Sequence, residues 1–175
     1  MTSLVVPDRE AMQGLGERLA RLLVAGDLVV LAGGLGAGKT TLTQGIGRGL
    51  EVRGAVTSPT FVIARVHPST VGGPALVHVD AYRLSSLDEV DDLDLDASLE
   101  DAVTVVEWGA GRVEGLAESR LLVEVVRRTG SEAADVLADA SDSSDTSEPR
   151  TVTVTGVGPR WAGVDLGVVS ATGGA

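Results

Sequence analysis

The sequence contains no cysteine and no asparagine, and its single lysine is Lys39. Without cysteine the chain forms no disulfide and offers no thiolate to a metal ion. Without asparagine it lacks the Asn-Lys-x-Asp motif that reads guanine in many GTPases, which disfavours that class. Aromatic residues make up only 2% of the chain.

Long hydrophobic runs are also missing, because no apolar stretch approaches the roughly 20 residues of a membrane-spanning helix. The first ten residues, MTSLVVPDRE, lack a basic segment followed by an apolar one, so we expect no secretory signal. The length of 175 residues is enough to bury a core. We expect a cytoplasmic protein with no membrane partner, a single domain over 1–160 and a flexible tail over 161–175.

Positive charge is scarce, and the chain carries a net charge of −11. Direct binding of nucleic acid requires a basic patch, which this balance disfavours. The segment 129–149 alone holds six acids and no base, and removing those charges leaves −5. Because this segment is also poor in large apolar residues, we expect it to be a disordered insert within the domain.

The stretch Leu28–Leu50 has the order strand, glycine loop, helix. Leu28–Ala32 is an apolar run of strand length, and the next eight residues, GGLGAGKT, match the pattern G-x-x-x-x-G-K-S/T. The glycines let backbone N–H groups turn inward around phosphate oxygens, and the helix that begins at the loop adds its own free N–H groups. The sequence therefore predicts a phosphate-binding loop, or P-loop.

An ordinary glycine-rich turn between a strand and a helix is the alternative interpretation. Against it stands Lys39, the only lysine, at the position where the motif needs a cation for the β- and γ-phosphates. The hydroxyl of Thr40 is placed to bind the Mg²⁺ that bridges those phosphates. A dinucleotide-binding fingerprint, G-x-G-x-x-G, cannot be placed across this loop.

The other elements indicate an α/β protein. Asp8 is a candidate N-cap for a helix that carries Met12, Leu15 and Leu19 on one face. We expect a P-loop NTPase-like fold, with a mostly parallel central sheet flanked by helices and antiparallel strands added toward the C-terminus. Besides the P-loop strand, the predicted strands are Leu4–Val6, Phe61–Val66, Ala75–Val79, Val103–Val106, Leu121–Val126 and Thr151–Thr155.

Two acids are candidates for the metal partner of the P-loop. Asp80 and Glu107 each follow a buried-type strand, and the carboxyl ends of parallel strands face the phosphates. One could hold Mg²⁺ through water while the other orients the attacking water, and the pattern does not assign these roles. His78 is interpreted as a core residue or a neighbour of the site, and Trp108 as a core aromatic or a cover for the nucleotide.

Two further segments have open interpretations. The loop Ser58-Pro59-Thr60 is either an ordinary turn or a switch segment whose hydroxyls sense the γ-phosphate and Mg²⁺. The stretch Leu84–Asp101 holds eight acids and no base among leucines at near-helical spacing. It is either a surface helix with a solvated acidic face or a surface that docks a partner.

Four motifs in order carry a resemblance to a known family. They are GGLGAGKTT at 33–41, SPTF at 58–61, HVDAYRL at 78–84 and VVEW at 105–108. In this order and spacing they resemble the TsaE family, over about residues 3–160. That resemblance implies an ATPase that supports formation of threonylcarbamoyladenosine at adenosine 37 of tRNA, together with the TsaB and TsaD proteins, with tRNA reached only through that complex.

The resemblance also implies that Thr40, Asp80 and Glu107 surround Mg²⁺ and ATP. The sequence departs from the family at Gly34, where an Asp is usual, and at Gln44, where an Arg is often seen. The predicted catalytic residues are Lys39, Asp80 and Glu107, and the predicted metal ligands are Thr40, Asp80 and Glu107. The predicted nucleotide contacts are Gly33, Gly34, Leu35, Gly36, Ala37, Gly38, Lys39, Thr40, Thr41, Thr60 and Trp108.

Three classes of function follow from these residues. An accessory ATPase that acts on a protein complex is our interpretation. A small-molecule kinase would need a lid with arginines to enclose the transferred phosphoryl group, but the corresponding segment is acidic. A nucleotide-regulated binding module with little turnover stays open, because Gly34 removes a carboxylate beside the phosphates.

Overall fold

A computed structural model describes residues 1–59, 64–83, 100–111, 113, 115–127 and 148–170 of the protein. The order of its main elements is β1 (Thr2–Val6), α1 (Arg9–Ala20), β2 (Leu28–Ala32), α2 (Lys39–Gly49), β3 (Ala64–His67), β4 (Ala75–Asp80), β5 (Ala102–Glu107), β6 (Arg120–Arg127) and β7 (Arg150–Val157). Short 3-10 turns lie at Ala81–Arg83, Pro159–Trp161 and Leu166–Ser170. No helix in the described ranges combines the length and the hydropathy needed to cross a membrane.

The strands form one sheet in the order β1-β7-β6-β2-β5-β4-β3. The four central strands, β6, β2, β5 and β4, are parallel, whereas β7 and β1 on one side and β3 on the other are antiparallel to their neighbours. The predicted α/β architecture and its antiparallel C-terminal strands are therefore confirmed. The P-loop strand β2 lies between β5 and β6, so both neighbours present their carboxyl ends beside the loop.

The core is divided between the two faces of the sheet. Successive residues of β2 point to opposite faces, as the pleat requires. Val29 and Leu31 join a cluster with the apolar sides of α1 and α2, including Leu15 and Ile46. Leu28 and Val30 face the second cluster, formed with β4, β5 and Val113. Both described helices thus cover the same face.

The helices α1 and α2 pack at very short range. Asp8 caps α1, since its Oδ1 accepts a hydrogen bond from the Ala11 amide at 2.8 Å, as predicted. A Cβ on Gly16 would lie 2.4 Å from the Leu42 carbonyl oxygen, and one on Gly45 would lie 2.1 Å from that of Gln13. These two glycines therefore allow the two backbones to come into contact.

The segment after β7 packs on the domain through residue 170, which differs from the flexible tail expected over 161–175; residues 171–175 lie outside the described residues. Trp161, Leu166 and Val169 are buried in the cluster under α1. Arg160 donates through Nη2 to the Leu22 carbonyl and to Asp27 Oδ2, at 2.8 and 3.0 Å. These contacts attach the segment to the turn before β2 as far as Ser170. Most of the predicted acidic insert 129–149 lies outside the described residues.

Candidate nucleotide-binding site

The P-loop joins the end of β2 to the start of α2 in the middle of the parallel strands. Gly33, Gly36 and Gly38 have φ values of 143°, 67° and 112°, which favour glycine. Gly33 also passes close to β6, because a Cβ there would lie 2.3 Å from the Val125 carbonyl oxygen. Gly38 supplies no side-chain cap, so the first N–H groups of α2 are available to an anion.

Lys39 is the buried cation of this loop, with only 4% of its surface exposed. Its Nζ donates to the carbonyl oxygens of Gly33 and Gly34 at 2.8 and 3.0 Å. The same atom lies 3.6 Å from the centre of the Trp108 ring. Burial lowers the pKa of Lys39, and the nearby carboxylates of Glu107 and Asp80 oppose that shift.

The two predicted acids end neighbouring parallel strands at the same level. Asp80 and Glu107 are paired in the register of β4 and β5, and both are buried. Thr40 Oγ1 donates to Glu107 Oε1 at 2.8 Å, so the P-loop helix is bonded to β5 through two of the three predicted metal ligands. Among the two acids, the structure therefore places Glu107 against the P-loop threonine.

Asp80 has different hydrogen-bond partners from Glu107. Its Oδ2 accepts from Ser58 Oγ at 3.3 Å, and its Oδ1 accepts from the backbone amide of Tyr82 at 3.0 Å. Ser58 belongs to the loop 58–60, for which the sequence indicates either an ordinary turn or a switch segment. Asp80 thus connects that loop to the end of β4.

Trp108 has a backbone conformation that is rare for a bulky residue, with φ of 62°. Its amide donates to the Leu31 carbonyl at 3.1 Å, which anchors this turn to the P-loop strand. Its ring lies 5.2 Å from that of Tyr82, and the two planes are inclined by 57°. The indole therefore lies between the exposed Tyr82 ring and the buried ammonium of Lys39, beside the P-loop and not within the core.

The other predicted nucleotide contacts lie in or near the loop. Leu35 is 76% exposed, Ala37 is buried with its amide on the Gly34 carbonyl at 3.2 Å, and Thr41 is half-buried in the first turn of α2. Around Gly34, a Cβ would meet no atom within 4 Å. Thr60 lies outside the described residues.

Two residues of this neighbourhood are absent from the predicted site. Arg127, at the end of β6, donates through Nη2 to the Gly36 carbonyl at 2.8 Å. Its position at the carboxyl end of a parallel strand is the only sequence signal that could have indicated it. His78, interpreted as a core residue or a neighbour of the site, is bonded through Nε2 to Glu107 Oε1 at 2.8 Å.

The residues present fit a Mg²⁺ nucleotide. Among the described residues there is no group of three or more histidines, cysteines or acids that could hold a metal ion. Mg²⁺ does not need such a group, since it commonly binds one or two carboxylates and completes its shell with water and substrate phosphates. A hydroxyl and two carboxylates at the mouth of a glycine loop supply the hard oxygen ligands that this ion prefers.

The loop and the sheet define a P-loop NTPase-like protein. The crystal structure of Bacillus subtilis YdiB superposes with a TM-score of 0.65 and 28% sequence identity, over 92% of this chain and 88% of that chain. The family model for the threonylcarbamoyl adenosine biosynthesis protein TsaE matches residues 6–134. The chain belongs to the TsaE family, as the four sequence motifs predicted.

Named relatives are similar over most of the chain. The tRNA threonylcarbamoyladenosine biosynthesis protein TsaE of Streptomyces coelicolor is 62% identical over 160 residues, which cover 91% of this chain and 99% of the relative. The protein of the same name from Mycobacterium tuberculosis is 53% identical over 129 residues, covering 70% of this chain and 77% of the relative.

Proposed function

We propose that the protein is a Mg²⁺-dependent ATPase that supports threonylcarbamoyladenosine formation on tRNA. The observation that carries the ATPase proposal is the bond from Thr40 to Glu107, because it joins the P-loop helix to a buried acid on the adjacent strand. A threonine and an acid in this relation are the protein groups that P-loop NTPases use for magnesium. The absence of asparagine, and so of Asn-Lys-x-Asp, supports ATP over GTP as the nucleotide.

Each residue has a defined part in this proposal. The P-loop amides and Lys39 bind the phosphates, and Thr40 and Glu107 hold Mg²⁺, which would neutralise charge on the β- and γ-phosphates. Asp80 is bonded to the Ser58 loop and lies beside Glu107, so it is the group that orients the attacking water. Trp108 and Tyr82 limit access of solvent to Lys39 from one side.

The role in tRNA modification rests on the family and on the names of its members. We propose that the chain acts in the cytoplasm with TsaB and TsaD proteins and contacts tRNA only within that complex. The net charge of −11 supports this indirect route, since a direct grip on tRNA needs a basic surface.

A single-turnover ATPase assay, with and without the TsaB and TsaD proteins, tests the proposal. We expect slow, Mg²⁺-dependent hydrolysis that the partners accelerate, and tighter association with an ATP analogue than with ADP.

Charge reversal at Asp91, Asp92 and Asp94 should weaken association with the TsaB and TsaD proteins and leave nucleotide affinity unchanged. These three acids lie outside the described residues. Tight tRNA binding by the isolated chain at physiological salt would contradict the indirect route.

The second candidate is a binding module that uses the nucleotide as a signal with little turnover. Gly34 favours it, because this position offers no side-chain acceptor near the phosphates although the space for one is open. The same assay separates the two functions. Nucleotide-dependent association without any product formed in a single turnover would support the module.

A further inference from the structure

His78 is the one fully buried imidazole in direct contact with the site among the described residues. Its side chain has 0% exposure, and its Nε2 lies 2.8 Å from Glu107 Oε1. A carboxylate oxygen only accepts hydrogen bonds, so the imidazole Nε2–H is the donor. Its Nδ1 has no hydrogen-bond partner in the described part of the chain.

Glu107 is therefore held through a single oxygen. Its Oε1 accepts both from His78 Nε2 and from Thr40 Oγ1, each at 2.8 Å. The described residues provide no hydrogen-bond donor for its Oε2. Two donors on one oxygen restrict rotation of the carboxylate and leave the second oxygen to the site.

The sheet register explains how this contact arises. His78 is paired with Val105, and Glu107 is paired with Asp80, so His78 and Glu107 are diagonal neighbours on the same face of β4 and β5. This is the face covered by α2, whose first turn carries Thr40. The imidazole thus supports the carboxylate from one side while the threonine contacts it from the other.

We propose that His78 is a positioning residue for Glu107. Its Nε2–H keeps one carboxylate oxygen on the Thr40 hydroxyl and orients the other toward the Mg²⁺ nucleotide. A charge-assisted hydrogen bond in a dry environment is strong enough to select one carboxylate orientation. This inference rests on the proposed function, which supplies the role of Glu107.

The main competing explanation is that His78 only fills space in the core. Two variants, His78→Gln and His78→Leu, separate these explanations. Glutamine places its amide nitrogen near the position of the imidazole Nε2, whereas leucine fills a similar volume without a hydrogen-bond donor. Thr104→Val is the matched control. Thr104 is also fully buried, on β5 but on the opposite face of the sheet, and its hydroxyl has no hydrogen-bond partner among the described residues.

The first measurement is the Mg²⁺ concentration that half-saturates binding of an ATP analogue. We expect His78→Leu to raise it about tenfold or more, as loss of a supporting residue does at metal sites, without changing nucleotide affinity in EDTA. His78→Gln should restore it to near the wild-type value, and Thr104→Val should leave it unchanged. A folded His78→Leu variant with wild-type Mg²⁺ dependence would overturn the proposal.

If His78→Leu does not fold, the comparison of His78→Gln with His78→Asn decides the question. Both side chains are polar, but only glutamine is long enough to reach Glu107, so only His78→Asn should show weakened Mg²⁺ dependence. Equal behaviour of the two folded variants would contradict a specific bond.

A second measurement needs neither metal nor nucleotide. Long-range ¹H–¹⁵N spectra of the metal-free protein should show a proton on His78 Nε2, and Glu107→Gln should shift these signals. His67, the other histidine, is assigned by His67→Gln. A neutral imidazole with its proton on Nδ1 would overturn the positioning role. If the bond is seen but wild type shows no Mg²⁺-dependent nucleotide binding, the proposed function fails and the contact itself stands.

Discussion

At the scale of single residues, the site depends on a few buried charges beside a glycine loop. The Lys39 ammonium lies between two P-loop carbonyls and the Trp108 ring, and the Glu107 carboxylate accepts a hydrogen bond from the Thr40 hydroxyl. Buried charges are stable only when they are paired or hydrogen-bonded. Lys39 and Glu107 are both hydrogen-bonded within the site, so a substitution at either position should change binding or catalysis more than it changes core packing.

Lys39→Ala should weaken binding of an ATP analogue by roughly 1.5–3 kcal/mol, because it deletes a charge-assisted contact to the phosphates. Isothermal titration calorimetry measures the change. Val24→Ala is the control, since Val24 is 52% exposed in the turn before β2 and is not among the predicted nucleotide contacts. Wild-type affinity of the Lys39 variant would reject the assignment of the P-loop.

The two acids should give different kinetic defects. Glu107→Gln should raise the Mg²⁺ requirement, whereas Asp80→Asn should lower turnover at saturating Mg²⁺, with a loss on the order of 10²–10³ expected when transition-state positioning is removed. Both variants should fold, because the amides keep the size of the side chains. Identical defects in both variants would show that the roles are not divided.

Gly34→Asp tests the departure from the usual family loop. A Cβ at this position meets no atom within 4 Å, so the free energy of unfolding should change by no more than about 0.5 kcal/mol, as is typical of surface changes. We expect turnover to rise, because the carboxylate restores an acceptor near the phosphates. Turnover equal to wild type in a single-turnover assay would show that Gly34 does not limit the reaction.

At the scale of secondary structure, the contact between α1 and α2 determines where the P-loop helix lies. The two glycines of α1, Gly14 and Gly16, differ in role. A Cβ on Gly16 would meet the backbone of α2, whereas a Cβ on Gly14 would meet only the Arg18 guanidinium outside the helix backbone, at an ordinary contact distance of 3.4 Å. Glycine in an open helical position only weakens the helix.

Gly14→Ala should therefore stabilise the protein by about 0.5–1 kcal/mol, through the higher helix propensity of alanine. Gly16→Ala should destabilise it by roughly 1–3 kcal/mol, because its Cβ would force α1 away from the Leu42 carbonyl. Thermal and urea unfolding of the two variants form a matched pair. A stabilised Gly16 variant would show that the two helices can separate without cost.

At the scale of the whole molecule, one seven-stranded sheet carries the site at the carboxyl edge of its parallel strands. The antiparallel pair β6 and β7 ends with Arg127 opposite Arg150, so the two ends of the acidic insert are neighbours. A short turn could therefore connect Arg127 to Arg150 in place of the natural connection.

Deletion of residues 131–147 should leave the fold and the ATPase activity intact. The shorter connection closes a smaller loop, which costs slightly less conformational entropy. Thermal unfolding and the single-turnover assay check both expectations, with the full chain as control. A large fall in melting temperature would show that the insert contributes to the core.

The family, the fold class and the P-loop could all be predicted from the sequence, because each is indicated by motifs and hydrophobic patterns within short stretches of the chain. A strand, a glycine loop and a helix within Leu28–Leu50 are local patterns, and Lys39 and Thr40 follow from them. Asp80 and Glu107 could also be named, since each directly follows an apolar run. The packed segment that follows β7 was missed, since Trp161, Leu166 and Val169 show no regular period.

The tertiary structure alone decided which of these residues meet. Glu107 and not Asp80 accepts the Thr40 hydroxyl, His78 supports Glu107, and Arg127 reaches the Gly36 carbonyl. The partners in these contacts lie from 29 to 91 positions apart in the chain. They depend on the order of β6, β2, β5 and β4 in the sheet. Side-chain periodicity gives the type of each element and its buried face, but it does not contain the order in which parallel strands pair.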